Sequence, residues 1–174
     1  MPPMLANRPY DSLAVGDSAR LTRVLHRSDI ALFAALSGDV NPAHLDDDFA
    51  RESRFHHVIA HGMWGGALVS TLLGTRLPGP GTIYVSQQLR FLKPVAVGDE
   101  LTVTISVREK QERRHVLLDC AAVNQLGETV LAGEAEVIAP AEALAVAAPP
   151  LPEVQIVHPL GPESFRIDAG QAAE

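Results

Sequence analysis

The sequence predicts one α+β domain in which an antiparallel sheet wraps around a single buried helix. The chain has 174 residues, of which 47% are hydrophobic and 20% are charged, and this is enough to build the core of one domain. Residues 61–73 are apolar on almost every side, which is typical of a helix buried all round. After this segment the hydrophobic period changes from about 3.6 residues to about 2, the period of strands in a sheet.

Three elements are predicted before the buried helix. Residues 19–26 have the pattern of a first strand. Ser28 has the residue type of an N-cap and is predicted to begin a helix that continues through Leu36. Residues 37–42, Ser-Gly-Asp-Val-Asn-Pro, break that helix, and residues 46–52 are predicted to form one or two helical turns.

Four strands are predicted after the buried helix, which ends at a stretch rich in proline and glycine, residues 77–81. The strands cover residues 82–91, 101–108, 116–123 and 129–138. Because the links between them are short, an antiparallel meander is favoured.

Two adjacent glycines, Gly65 and Gly66, lie inside the predicted buried helix. A glycine in a helix costs about 1 kcal/mol relative to alanine. Their presence therefore predicts that a curved sheet or a bound ligand approaches the backbone of the helix closely. The alternative interpretation is a helix that is simply weak.

The composition changes near residue 139. Six of the 13 prolines lie at or after position 140, and residues 141–148 form a nearly featureless run rich in alanine. We therefore predict a domain over residues 1–139 and a linker-like tail, rich in proline and alanine, over residues 140–174.

Charge and composition argue against several classes of protein. Fourteen Lys and Arg residues against 21 Asp and Glu residues give a net charge of −7, whereas nucleic-acid binding needs a basic face. The N-terminus lacks the pattern of a signal peptide, and the longest apolar stretch, residues 63–73, is too short to span a bilayer. The single cysteine, Cys120, fits a reducing compartment. We expect a cytoplasmic protein with no nucleic acid and no membrane as a partner.

Asp39 and His44 are five residues apart in a short loop that Pro42 stiffens. A carboxylate and an imidazole held in this way can grip one water molecule from two sides, so that protons can be removed and delivered. Taken from the spacing alone, a carboxylate that caps a backbone amide beside a surface histidine is the commoner interpretation.

Gly62 lies where the buried helix begins, in the sequence His-Gly-Met. The first amides of a helix have no partner within the helix and carry partial positive charge. Such an amide can stabilise an oxygen that gains negative charge, for example the enolate of a thioester. The alternative is that Gly62 serves only to start the helix.

Together the two segments closely resemble the signature of the (R)-specific enoyl-CoA hydratases, the MaoC-type dehydratases. That signature is an aromatic residue, then Ser-Gly-Asp, any residue, Asn-Pro, an aliphatic residue and His. It is matched by Phe33, residues 37–39, residues 41–42 and His44. The second block of the family, His-Gly-Met at the start of the central helix, matches residues 61–63.

The resemblance implies a hot-dog fold, in which an antiparallel sheet wraps around a long central helix, and assembly as a homodimer or a larger homo-oligomer. It implies that Asp39 and His44 are catalytic and that the amide of Gly62 stabilises the oxyanion. Asn41 is expected to fix the loop through side-chain hydrogen bonds, and Ser70 is expected to lie near the site.

The same resemblance bears on substrate binding. Met63 and Trp64 are expected to contact the substrate. Ala43 departs from the family, because relatives usually carry Leu or Ile before the histidine, and this bears on the shape of the acyl pocket. Further candidates for the acyl pocket are Phe55 and His56, and candidates for the phosphates of coenzyme A are Arg90, Lys93, Arg113 and Arg114.

The activity implied by the resemblance is the reversible syn addition of water to a trans-2-enoyl-CoA, which gives an (R)-3-hydroxyacyl-CoA. Because only protons move, no metal, flavin or nicotinamide cofactor is expected, and coenzyme A enters as part of the substrate. The spacing of His56, His57 and His61 does not favour a metal site.

Two alternatives remain, an acyl-CoA thioesterase of the same fold and a non-catalytic module that binds acyl-CoA. The Asn-Pro-x-His block favours the hydratase over the thioesterase, and the presence of both Asp39 and His44 argues against the module. Residues 136–140 and 151–153 also resemble the hydratase half of bifunctional enoyl-CoA hydratase/phosphate acetyltransferase proteins.

Overall fold

The computed structural model describes residues 3–157 and 164–166. Its strands are β1 (Met4–Ala6), β2 (Ser18–Val24), β3 (Ile83–Phe91), β4 (Glu100–Lys110), β5 (His115–Asn124), β6 (Thr129–Ile138), β7 (Ala145–Ala147), β8 (Gln155–Val157) and β9 (Ser164–Arg166). Its helices are α1 (Arg27–Ser37), α2 (Pro42–Leu45), α3 (Asp47–Glu52) and α4 (Gly62–Thr75). The strands and helices predicted from the sequence are therefore present.

Five strands form one antiparallel sheet in the order β2-β4-β5-β6-β3. The predicted meander is correct for β4, β5 and β6 but wrong for β3, which pairs with β6 at one edge. The link over residues 92–99 carries the chain back across the sheet to β4. Three strand spacings amount to about 14 Å, well within the reach of eight extended residues.

The core lies between α4 and the inner face of this sheet. In β4, alternate side chains at Leu101, Val103 and Ile105 are buried, as the period of two predicts. Val69 and Leu72 of α4 belong to the same buried cluster. The sheet thus holds α4 in a fixed position, and the first turn of α4 is where the candidate site begins.

The two helix glycines allow close packing, as expected. A β-carbon on Gly65 would come within 3.1 Å of Leu131, and one on Gly66 within 3.2 Å of Leu89. The prediction that α4 is buried on every side is wrong for the single chain. Its exposed residues lie on one face and comprise Gly62, Met63, Ala67, Ser70, Thr71 and Gly74.

The start of α1 differs from the prediction. The N-cap is His26, and Ser28 lies inside the first turn. The backbone N–H of His26 donates to the carboxylate of Asp29 at 2.9 Å, and Arg23 donates to the same carboxylate at 2.6 Å. Asp29, which is buried, therefore closes the first turn from the N3 position, where its carboxylate accepts from the N-cap amide as in a capping box.

The first part of the predicted tail pairs with the N-terminus. β7 runs antiparallel to β1, with Leu5 opposite Val146. The amide of Asn7 donates to the carbonyl of Leu144 at 3.0 Å. The linker-like role of residues 140–174 stays a prediction, and its prolines at 159 and 162 lie outside the described residues.

Cys120 is buried on the inner face of β5 and belongs to the core cluster. Among the residues that the structure describes, no helix is both long enough and apolar enough to cross a membrane.

Candidate active site

The loop between α1 and α2 is built from local hydrogen bonds. Gly38 ends α1 in the left-handed conformation, with φ 75°, which glycine adopts without strain. The carboxylate of Asp39 accepts a hydrogen bond from the amide of Asn41 at 3.1 Å. The side-chain oxygen of Asn41 accepts in turn from the amide of Ala43 at 3.1 Å and caps α2. The loop-fixing contact expected of Asn41 is therefore present.

His44 is held in one orientation by a hydrogen bond to the segment that precedes α4. Its Nδ1 lies 2.9 Å from the carbonyl oxygen of Ile59. Because a carbonyl oxygen only accepts, Nδ1 carries the hydrogen of that bond. The other nitrogen, Nε2, is left to bind a water molecule or a substrate, as a proton-transfer residue requires.

His61 joins this loop to the start of α4. It is 3% exposed, and its Nε2 lies 3.0 Å from the carbonyl oxygen of Asp39. Its ring lies against that of His44, with ring centroids 4.0 Å apart, and against that of Phe33, at 4.9 Å. The sequence directed attention to the neighbouring Gly62 rather than to His61. The available signal was a histidine placed directly before a helix that begins with glycine.

Asp39, His44 and His61 each contribute one potential ligand atom to a group in which these atoms lie within 4.8 Å of one another. The two imidazole rings are tilted by 33° to each other, and one nitrogen of each already donates a hydrogen bond to a backbone carbonyl. The absence of a metal therefore stays a prediction.

A cavity of about 290 Å³ opens beside the group. His44, His61 and Gly62 line it together, so an imidazole and the first residue of α4 face the same space. Most of the rest of the lining is apolar and comprises Phe55, Ile59, Ala60, Trp64, Gly65, Phe91, Leu92, Pro94, Val95, Leu101, Val130 and Leu131.

The structure separates the predicted substrate residues into two groups. Trp64 and Phe55 line the cavity, and Trp64 is also buried in the core. Met63 and Ser70 lie on the exposed face of α4, away from the cavity lining. His56 is exposed and is likewise outside the lining.

Two cations lie at the cavity. Lys93 is the one member of the predicted phosphate-binding set that lines it, and its ammonium forms an ion pair with Glu128 at 2.5 Å. This pairing contributes to holding the pKa of the Glu128 carboxyl below its usual range. Arg54, which was not predicted from the sequence, also lines the cavity, and its guanidinium lies 4.8 Å from the ring centre of Phe55. Its only sequence signal is an arginine beside an aromatic residue.

The description "MaoC like domain" belongs to a family model that matches residues 13–129. The chain belongs to the MaoC-like family. An (R)-specific enoyl-CoA hydratase of Rhodospirillum rubrum is 42% identical over 132 residues, which cover 76% of this chain and 92% of that protein. An (R)-specific enoyl-CoA hydratase of Aeromonas caviae is 44% identical over 130 residues, which cover 74% of this chain and 97% of that protein.

Solved structures agree with this membership of the MaoC-like family. The unliganded R-hydratase PhaJ1 of Pseudomonas aeruginosa superposes with a TM-score of 0.86 at 46% identity, covering 89% of this chain and all of that one. The (R)-hydratase of A. caviae involved in PHA biosynthesis superposes with a TM-score of 0.72, covering 74% of this chain and 98% of that one. The expected hot-dog fold is confirmed.

Proposed function

We propose that this MaoC-like protein is an (R)-specific enoyl-CoA hydratase, which adds water reversibly to trans-2-enoyl-CoA to give (R)-3-hydroxyacyl-CoA. Two relatives that carry the name (R)-specific enoyl-CoA hydratase support the reaction. The observation that carries the chemistry is the grouping of Asp39 and His44 beside the cavity that Gly62 lines. This grouping supplies proton transfer and an oxyanion-stabilising amide at one place.

The reaction begins with the thioester oxygen near the N–H of Gly62, which makes the β-carbon electrophilic. Nε2 of His44 accepts one hydrogen bond from the water and orients it, while the carboxylate of Asp39 takes the other proton. The oxygen of the water bonds to the β-carbon, and the electrons of the double bond move to the thioester oxygen as an enolate. Asp39 then returns its proton to the α-carbon on the same face, and the carbonyl reforms.

These steps need no metal, flavin or nicotinamide, since atoms and protons balance between substrate, water and Asp39. The protein is accordingly proposed to work without a cofactor, with coenzyme A bound only as part of the substrate. We place the protein in the cytoplasm, an assignment supported by its single, buried cysteine.

The active assembly is proposed to be a homodimer formed across β3. This strand is at one edge of the sheet and presents unpaired backbone groups. Ile83, Val85 and Phe91 of β3 are each about half exposed, as is Met63 on the adjoining face of α4. An apolar edge of this kind is usually covered by a partner.

Purified protein mixed with crotonyl-CoA or a longer trans-2-enoyl-CoA tests the reaction. We expect the absorbance of the conjugated thioester to fall and the product to be oxidised by an (R)-specific 3-hydroxyacyl-CoA dehydrogenase. Release of free thiol would instead identify a thioesterase. Tight binding of acyl-CoA without turnover would identify a binding module and overturn the hydratase.

A pair of variants tests the amide of Gly62. Proline is tolerated at the first position of a helix but has no N–H, and His61 already has the extended backbone that a following proline requires. Gly62→Pro should therefore keep the fold and lower kcat by about 10²–10³-fold. Gly62→Ala keeps the N–H while adding a methyl group 3.1 Å from the ring of Phe91, and should lose far less activity. Equal losses in the two variants would contradict the role of the amide.

A further inference from the structure

We propose that His61 is a positioning residue, which fixes the general acid–base loop relative to the amide that binds the thioester oxygen. The proposal deepens the proposed hydratase and rests on it. His61 is the N-cap residue of α4 and directly precedes Gly62. It also touches both proton-transfer residues, through a hydrogen bond to Asp39 and a ring contact with His44.

The contact to Asp39 is a hydrogen bond of defined direction. The carbonyl oxygen of Asp39 can only accept, so Nε2 of His61 donates across the 3.0 Å between them. Asp39 itself is exposed in an irregular loop, and within the described part of the chain its carboxylate is hydrogen-bonded only to the amide of Asn41 in that same loop. Among the contacts of the described residues, this hydrogen bond from the His61 side chain is therefore the one that connects the Asp39 backbone to the start of the buried helix.

The other nitrogen of His61 argues that the hydrogen-bond donor is what matters. Nδ1 is buried and has no hydrogen-bond partner among the residues that the structure describes. A buried, unpaired polar atom lowers stability, and an aromatic hydrocarbon ring would pack against Phe33 and His44 without this cost. An imidazole at position 61 therefore stabilises the fold less than a hydrocarbon ring would. Its advantage over such a ring is the hydrogen-bond donor at Nε2.

A rigid connection between the loop that carries Asp39 and the start of α4 directly affects the rate of hydration. The water must lie between Asp39 and His44 while the thioester oxygen lies at Gly62. The distance between the Asp39–His44 pair and the amide of Gly62 must therefore match the distance between the β-carbon and the thioester oxygen of the substrate. A displacement of about 1 Å in such a geometry can cost about 10²-fold in rate. Binding of the acyl chain depends on the apolar cavity instead and should respond little.

Two substitutions separate the donor from the packing. His61→Phe keeps an aromatic ring but has no donor, whereas His61→Gln places an amide N–H at the position of Nε2. His57→Phe, at an exposed histidine of the same segment, is the matched control. For each variant, kcat and KM are measured with crotonyl-CoA, unfolding is followed by circular dichroism, and hydrogen–deuterium exchange is measured over residues 38–46.

We expect His61→Phe to lower kcat by about 10²-fold with little change in KM. Its unfolding midpoint should equal or exceed that of the unsubstituted protein, while amide exchange in residues 38–46 becomes faster. His61→Gln should restore most of kcat and slow the exchange again. A residue with a merely structural role predicts the opposite, namely activity that falls only as stability falls.

The role is overturned if His61→Phe retains full kcat, or if His61→Gln is no better than His61→Phe. These outcomes are distinct from failure of the proposed function, in which the unsubstituted protein does not hydrate the substrate at all. In that event the exchange experiment still tests whether His61 holds the loop. An unchanged exchange rate over residues 38–46 in His61→Phe would by itself show that it does not.

Discussion

At the scale of single residues, Asp39 and His44 are expected to carry the proton transfers. Asp39 is exposed and His44 half-buried, so neither makes a large contribution to the core. Asp39→Asn and His44→Ala should each lower kcat by at least about 10²-fold while circular dichroism shows an intact fold. Near-normal rates in either variant would rule out its part in the mechanism.

The resemblance to the MaoC-type signature predicted this pair, whose residues lie in one loop. The spacing alone favoured a capping carboxylate beside a surface histidine. Asn41 was predictable because its bond reaches only two residues along the chain. The bond between His61 and Asp39 spans 22 residues and depends on how α4 docks against the loop. Local patterns carry no information on such a contact. The expectation that Ser70 lies near the site came from the resemblance, and in the single chain this residue lies on the exposed face of α4.

Cys120 should make stability depend on pH in the alkaline range. Burial is the main cause that raises the pKa of this thiol from 9.0 to about 11, with a smaller contribution from the nearby Asp119 carboxylate. The unfolded thiol therefore loses its proton first. This contribution to stability is complete below about pH 9 and is lost as the pH rises towards 11.

Urea unfolding at pH 8 and at about pH 10 measures this effect, with Cys120→Ala as the reference that lacks the thiol. The free energy of unfolding should fall more steeply with pH for the unsubstituted protein than for Cys120→Ala. The extra slope corresponds to the release of at most one proton per molecule on unfolding. Parallel pH profiles for the two proteins would show that the thiol ionises alike in the folded and unfolded states.

At the scale of elements, the pairing of β3 with β6 depends on Gly133. A β-carbon there would overlap the carbonyl oxygen of Gln88 and lie 3.0 Å from the α-carbon of Leu89, both in the backbone of β3. Gly133→Ala should therefore force the two strands apart and destabilise the protein by about 3 kcal/mol or more.

Gly127 is the matched control for this substitution. It lies in the turn between β5 and β6, with φ 76°, and a β-carbon added there would meet no atom within 4 Å. Gly127→Ala should cost about 1 kcal/mol, from backbone strain alone. Urea unfolding measures both values, and a loss no greater for Gly133→Ala than for Gly127→Ala would contradict the steric argument.

The bounds of the strands were predictable because alternation follows burial directly, as Leu101 and Val103 show. The start of α1 was not, because the cap is formed by the carboxylate of Asp29, which reaches back to the amide of His26. A serine two residues into the helix gives the same sequence signal whether or not it caps. Residue type alone therefore set the predicted start two residues too late.

At the scale of the whole molecule, the proposed dimer across β3 can be tested by charge. Ile83→Glu with Val85→Glu would place like charges opposite each other across a two-fold edge, where they repel. Analytical ultracentrifugation should show a dimer for the unsubstituted protein and a monomer for this double variant. Leu126→Glu, on an exposed turn, is the control and should remain dimeric. A double variant that stays dimeric would place the interface elsewhere.

The order of strands in the sheet illustrates what the sequence left open for the molecule as a whole. Hydrophobic patterns identify strands but not their neighbours, and short links favour hairpins unless a link can cross the sheet. The link over residues 92–99 is long enough to cross the sheet from β3 to β4. This leaves β3 at the edge of the sheet. That placement brings Phe91 over Gly62 and completes one wall of the cavity.

The pairing of β1 with β7 bears on how much of the chain unfolds as one cooperative unit. The amide of Tyr10 donates to the carbonyl of Pro140, and that of Ala148 donates to the carbonyl of Pro3, so hydrogen bonds continue beyond both ends of the ribbon. A cut after residue 148 leaves the ribbon whole, whereas ending the chain at residue 139 strips β1 of its partner strand. The smallest stable fragment should therefore extend nine residues beyond the change in composition, because the N-terminus has its binding partner there.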